Sequence, residues 1–176
     1  MVARQFLVLS LLCIAAGLQA KTRLLEPSAF PQLPPHVVAD LEQRDCKIPE
    51  FNRHTQDVVI QGHFMGPNTV DWAVLCMRTN STSLLVYPGG SVERLVAPDI
   101  RWNSFTSWGI APVDSKGLEN VVWGWQTRKP QVFDHQGISS SEGYGTGTSV
   151  YSFSSEAVTF YFENGEWLRT RALIAN

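Results

Sequence analysis

The chain has 176 residues, with 14 Lys or Arg against 16 Asp or Glu and a formal net charge of −2. The charges are scattered and form no basic stripe, which argues against a nucleic-acid binder. The length suits one domain with a substantial core, and no cofactor motif is spelled out.

Residues 1–20 read as an export signal. A lone positive charge at Arg4 precedes an apolar run from Phe6 to Ala16, and small and polar residues follow to Ala20. That is the order of a secretory leader with cleavage after Ala20. The run is shorter than the roughly 20 residues that a membrane-spanning helix needs, and no later stretch approaches that length. Cys13 lies inside it behind Leu11 and Leu12, where a lipidation signal wants a small residue. The leader predicts an exported protein, periplasmic or secreted, in an oxidising compartment. Without it 13 basic residues face 16 acidic ones. Cys46 and Cys76, thirty residues apart, then pair most simply with each other; two separate buried thiols are the alternative.

Residues 21–35 carry Pro27, Pro31, Pro34 and Pro35, so they read as an extended lead-in rather than a packed element. The last two prolines suit a helix start. Residues 36–44 place Val37, Val38 and Leu41 on one face, which predicts a short amphipathic helix. From there to residue 176 the pattern predicts a single, mostly β antiparallel domain, sandwich or barrel-like, with that one N-terminal helix. Strands are expected over 58–64, 71–77, 84–87 and 121–125, and a polar turn over 79–83. Residues 139–147, with three serines and three glycines, read as a loop. At the end, residues 158–162 and 167–173 flank Asn164-Gly165, the dipeptide of a two-residue type I′ turn, and predict a terminal hairpin.

Two stretches resemble known families. Gly62-His-Phe-Met-Gly66 followed by Asp71-Trp-Ala-Val-Leu resembles a single unit of the FG-GAP/VCBS-type β repeat. Leu33-Pro-Pro, Cys46-Lys-Ile-Pro49, Asp71 to Cys76, Asp134-His-Gln-Gly-Ile138 and Gly165-Glu-Trp-Leu168 together resemble a family of exported bacterial proteins of unknown function. These resemblances imply a β fold and export, and no activity. The calcium-binding repeats carry several aspartates in the loop, because the ion needs six to eight oxygens. Here the loop offers only Asn68 and Asp71, with His63, Met65 and Pro67 elsewhere.

Three sets of residues are candidates for chemistry or recognition. Asp134, Gln136 and Glu142 supply oxygens suited to a cation, and Asp134 with His135 makes a possible acid/base pair. Adjacent residues on an extended chain point to opposite sides, so this pair needs a turn to cooperate. The structural alternative is an Asx-type turn with an exposed histidine. Trp102, Trp108, Trp123 and Trp125 are candidates for an aromatic binding surface, with Trp123 and Trp125 on one strand face. Large aromatics also build small β cores. No serine lies in a G-x-S-x-G elbow.

These features favour a non-enzymatic binding or structural module of the cell envelope, with no cofactor and with a protein or saccharide partner. A small extracytoplasmic hydrolase centred on Asp134 and His135, with Glu142, is the competing reading. An inhibitor of an envelope enzyme is a third.

Overall fold

The computed structural model describes residues 23–50, 58–79, 81–93, 102–103, 107–123, 132–143 and 155–174. The expected export signal therefore lies outside the described residues. Among the described residues ten strands form three antiparallel sheets, accompanied by two α-helices, so the structure is mostly β, as expected. The sheets do not close into a barrel.

The proline-rich stretch is packed rather than a free lead-in. β1 (Arg23–Leu25) pairs with β2 (Ile48–Glu50) in a two-stranded sheet. A 3-10 turn follows at Pro27–Ala29, and Phe30 and Leu33 are buried in the main core. Apolar residues between prolines gave no periodicity, and tertiary contact alone buries them. Helix α1 (Pro35–Gln43) starts on a proline, whose missing N–H costs nothing there. It buries Val37 and Leu41. Cys46 follows at once, its N–H bonded to the Leu41 carbonyl at 2.9 Å.

The second sheet runs β3-β4-β5-β6, with β3 at Val59–Gly62, β4 at Asp71–Arg78, β5 at Ser81–Tyr87 and β6 at Trp102–Asn103. β4 is buried on both faces from Ala73 to Met77, as its unbroken apolar run implies. The turn after it is shorter than the expected 79–83, because Arg78 already pairs with Ser81. Thr79 in this turn has a positive φ of 55°. Cys46 and Cys76 stand 5.3 Å apart at Cα, a disulfide pairing that joins the end of α1 to β4. Tyr87, on the same side, reaches Asp40 of α1, so α1 covers this face of the sheet.

The third sheet runs β10-β9-β8-β7, with β7 at Ser107–Val113, β8 at Gly137–Gly143, β9 at Ser155–Glu163 and β10 at Glu166–Ile174. β3 runs beside β7. Ile110, Ile138, Val158 and Phe160 join the core built from α1 and the second sheet. The terminal hairpin is as expected: Asn164 and Gly165 have φ of 53° and 88°, both positive as a type I′ turn requires.

Two expectations are corrected. Residues 121–123 of the expected strand 121–125 are not strand but belong to helix α2 (Ser115–Trp123), and residues 124 and 125 lie outside the described residues. Asp114 caps it, its Oδ1 accepting the Gly117 N–H at 2.6 Å. Leu118 is fully buried in a second cluster with Phe133 and Tyr161, packed by Val113, and α2 lies against β9 and β10. The cap and the spacing of Leu118, Val121 and Val122 were the overlooked helical signal. Nor is the serine run from Ser139 a loop. Ser139 and Ser140 pair with Thr159 and Val158, and the buried Ser140 hydroxyl donates to the Gly109 carbonyl at 3.1 Å. Residues 144–147 of that expected loop lie outside the described residues.

Closing a loop of 30 residues should stabilise the fold by about 3 kcal/mol. Urea unfolding of a Cys46→Ser/Cys76→Ser chain lacking residues 1–20 should show a loss of that size. The denatured, unreduced parent should expose no thiol to reagent, and two reactive thiols would refute the pairing.

Candidate functional site

The site around Asp134 and His135 is positioned from the neighbouring sheet, starting at Asp71. This carboxylate is 0% exposed. Its Oδ2 accepts the N–H groups of Phe64 and Met65, both at 2.8 Å, and its Oδ1 accepts the Gly89 N–H at 2.8 Å. A buried carboxylate without such donors would be costly. With them it ties the β3–β4 loop to the turn after β5. Both oxygens are thereby engaged by backbone donors.

The same loop holds residues 132–137. His63 N–H donates to Gln136 Oε1 at 2.8 Å, and Gln136 N–H donates back to the His63 carbonyl at 2.7 Å. The His63 ring turns its Nδ1 to the Thr69 carbonyl at 2.5 Å. Gly62 is required for this approach. A Cβ there would lie 2.5 Å from Phe64 Cζ and 2.7 Å from Gln136 Oε1.

Next to Gln136, Asp134 and His135 sit in a bend, and this lets adjacent side chains meet. Asp134 Oδ1 lies 3.0 Å from His135 Nδ1. The hydrogen bond from His135 holds the Asp134 carboxyl below its ordinary pKa. The histidine is not the exposed member of the pair. Its side chain is 11% exposed against 76% for Asp134. The ring stacks edge-on against Phe133 at 5.7 Å, and Phe133 meets Tyr161 in the same manner at 5.5 Å. His135 Nε2 is buried and has no hydrogen-bond partner among the described residues.

The other proposed ligands are not gathered here. Gln136 Oε1 is committed to His63. Glu142 is on β8 opposite Ser107 and Glu156, and five extended residues carry it about 17 Å along the strand from Gly137. Among the described residues no group of three His, Cys, Asp or Glu side chains is arranged to hold a metal ion.

The tryptophans are dispersed. Trp102 lies on β6 and Trp108 on β7, Trp123 ends α2, and Trp125 is outside the described residues. The shared strand face expected for Trp123 and Trp125 is therefore corrected, since a helical residue cannot supply it. Sequence reasoning passed over Trp72 and Trp167, which both pack partly buried against the main core. Trp167 lies 5.8 Å from Phe162, and its indole N–H is buried without an acceptor. The adjoining Asn164-Gly165 turn was the signal that could have placed it beside Phe162.

A second polar cluster joins α1 to β5. Tyr87 hydroxyl and Arg44 Nε both donate to Asp40 Oδ2, at 3.0 and 2.6 Å. Burial pushes the Tyr87 hydroxyl pKa upward, and the Asp40 carboxylate adds to the effect. Burial also works to raise Asp40, but the Arg44 and Tyr87 hydrogen bonds outweigh it and hold that carboxyl below its usual value.

The chain matches no protein-family model, no curated protein and no solved structure. Among the described residues no helix is long and apolar enough to cross a membrane.

Two stability measurements probe this framework. Asp71→Ala removes the acceptor of three backbone donors and should cost about 3 kcal/mol in urea unfolding; a loss below about 1 kcal/mol would show that the carboxylate does not hold the two loops. Tyr87→Phe should cost about 1–2 kcal/mol at neutral pH. Because the folded Asp40 pKa is depressed, its contribution is present above the unfolded carboxyl value and lost as pH falls through the folded one. The Tyr87→Phe deficit should therefore shrink below about pH 4, and a deficit unchanged down to acid would separate it from Asp40.

Proposed function

We propose that this chain is an exported β domain that acts by binding a protein or saccharide partner of the cell envelope, rather than by catalysis. The observation that carries the reading is how the polar side chains are used. Asp71, His63 and Gln136 are bonded to backbone groups of neighbouring segments, and such bonds position loops. Among the described residues no serine or cysteine hydrogen-bonds to His135, so no activated nucleophile is assembled there. The secretory pattern of residues 1–20, the cysteine pairing and the likeness to an exported bacterial family support placement in the envelope. An envelope enzyme is one such protein partner, and the domain would then act as its inhibitor.

A hydrolase is the second reading, favoured by one observation. Asp134 holds His135 through Nδ1, the arrangement in which a carboxylate orients an imidazole and leaves Nε2 to take a proton. Against it, that nitrogen is buried.

Thermal unfolding of the oxidised chain lacking residues 1–20 distinguishes them, measured with wall saccharides, peptidoglycan fragments and divalent metals. A ligand of the folded state at 100 times its dissociation constant adds about 2.7 kcal/mol, a rise of several degrees. Under the binding reading a saccharide partner gives such a rise with a saccharide or peptidoglycan fragment, retained in His135→Asn, with no turnover, and a protein partner gives no rise across this panel. Hydrolysis of a fragment, abolished by His135→Asn, would overturn it.

A further inference from the structure

We propose that the outer edge of β10 receives an extended acidic segment of a partner protein, which adds to the β10-β9-β8-β7 sheet as a fifth strand. This rests on the binding-module reading and specifies its partner. β10 is nine residues long and terminates the sheet. It pairs with β9 on one side, and among the described residues nothing pairs with the other.

The turn fixes which backbone groups face outward. Two residues, Asn164 and Gly165, separate Glu163 from Glu166, so these two form the hydrogen-bonded pair next to the turn. Bonding alternates from there. Leu168, Thr170 and Ala172 bond inward to β9, and Trp167, Arg169 and Arg171 turn their N–H and C=O groups to the open side. Such a row is a template for another strand.

The side chains select the partner. Trp167 and Arg169 share one face, where their cross-strand neighbours on β9 are Phe162 and Phe160. Arg169 is exposed, and its cross-strand neighbour Phe160 and the diagonal residues Phe162 and Val158 carry no charge. An added strand with Asp or Glu opposite Arg169 meets this guanidinium, and opposite charges directly across a sheet attract. The Trp167 indole N–H, buried without an acceptor, lies at the start of the same face. On the opposite face Leu168 is 36% exposed, which suits apolar residues at the intervening positions. A second copy is the wrong occupant. Antiparallel pairing of two β10 edges centred on residue 169 sets Arg169 against Arg169, and like charges directly opposite repel.

The test is amide hydrogen exchange in the isotopically labelled chain lacking residues 1–20. The probe is a blocked nine-residue peptide of alternating Glu and Val, matched to the length of β10, and its Lys/Val counterpart is the control. Millimolar Glu/Val peptide should slow exchange at Trp167, Arg169 and Arg171 by about tenfold or more, and shift the Trp167 indole N–H resonance. The Lys/Val peptide should do neither, and Arg169→Glu/Arg171→Glu should reverse the preference. No slowing, or equal slowing by both peptides, overturns the proposal. Protection confined to another surface also overturns it, while leaving the chain a binding module. Sedimentation as a dimer with these amides already protected assigns the edge to a second copy, and overturns it as well.

Discussion

A single buried carboxylate fixes the relation between the loops of this protein. Asp71 receives three backbone N–H groups from two segments that are distant in sequence. Its desolvation is tolerable only while all three donors remain, so the β3–β4 loop and the turn at Pro88–Gly90 are held as one piece. The consequences run outward along the chain. Phe64 is buried beside its bonded N–H, Gly62 lets that ring and Gln136 come close, and His63 exchanges backbone bonds with Gln136. The position of His135 therefore depends on a residue in another sheet.

A second set of ties holds α1. Cys46 and Cys76 join its end to β4, and the Asp40–Tyr87–Arg44 cluster anchors its middle to β5. His36 at its start lies with Nε2 2.6 Å from the Gly90 carbonyl, on the same turn whose Gly89 N–H Asp71 receives. Helix, sheet and loop thus share one turn as a meeting point. The proline-rich segment ahead of α1 is drawn in by Phe30 and Leu33 and by the pairing of β1 with β2.

This allocation of polar groups bears on function. Side chains that look chemical in isolation are consumed by architecture, Gln136 most plainly, since its one acceptor is aimed at the His63 N–H. What the fold leaves unfilled is backbone hydrogen-bonding capacity along β10 and the indole donor of Trp167. Unfilled capacity of that kind suits recognition by strand addition, and Arg169 beside it is exposed.

By itself the sequence determined the features that rest on local rules. The Asn164-Gly165 hairpin follows from positive φ at both positions, α1 from a proline start and one apolar face, and β4 from an apolar run too short for a buried helix. The mostly β class followed from these. The site was legible only as a list of residues. Asp134 and His135 were identified, but their contact needed a bend that the sequence left open, and the burial of the histidine came from Phe133, itself packed on Tyr161. Glu142 was grouped with Asp134 on nearness in sequence, and an extended strand carries it away. The serine run became β8 because Ser140 finds a carbonyl on β7, and residues 115–123 became a helix because Leu118 finds Phe133 and Tyr161. For β8 and α2 the deciding partner lies more than a dozen residues away, and no local periodicity records it.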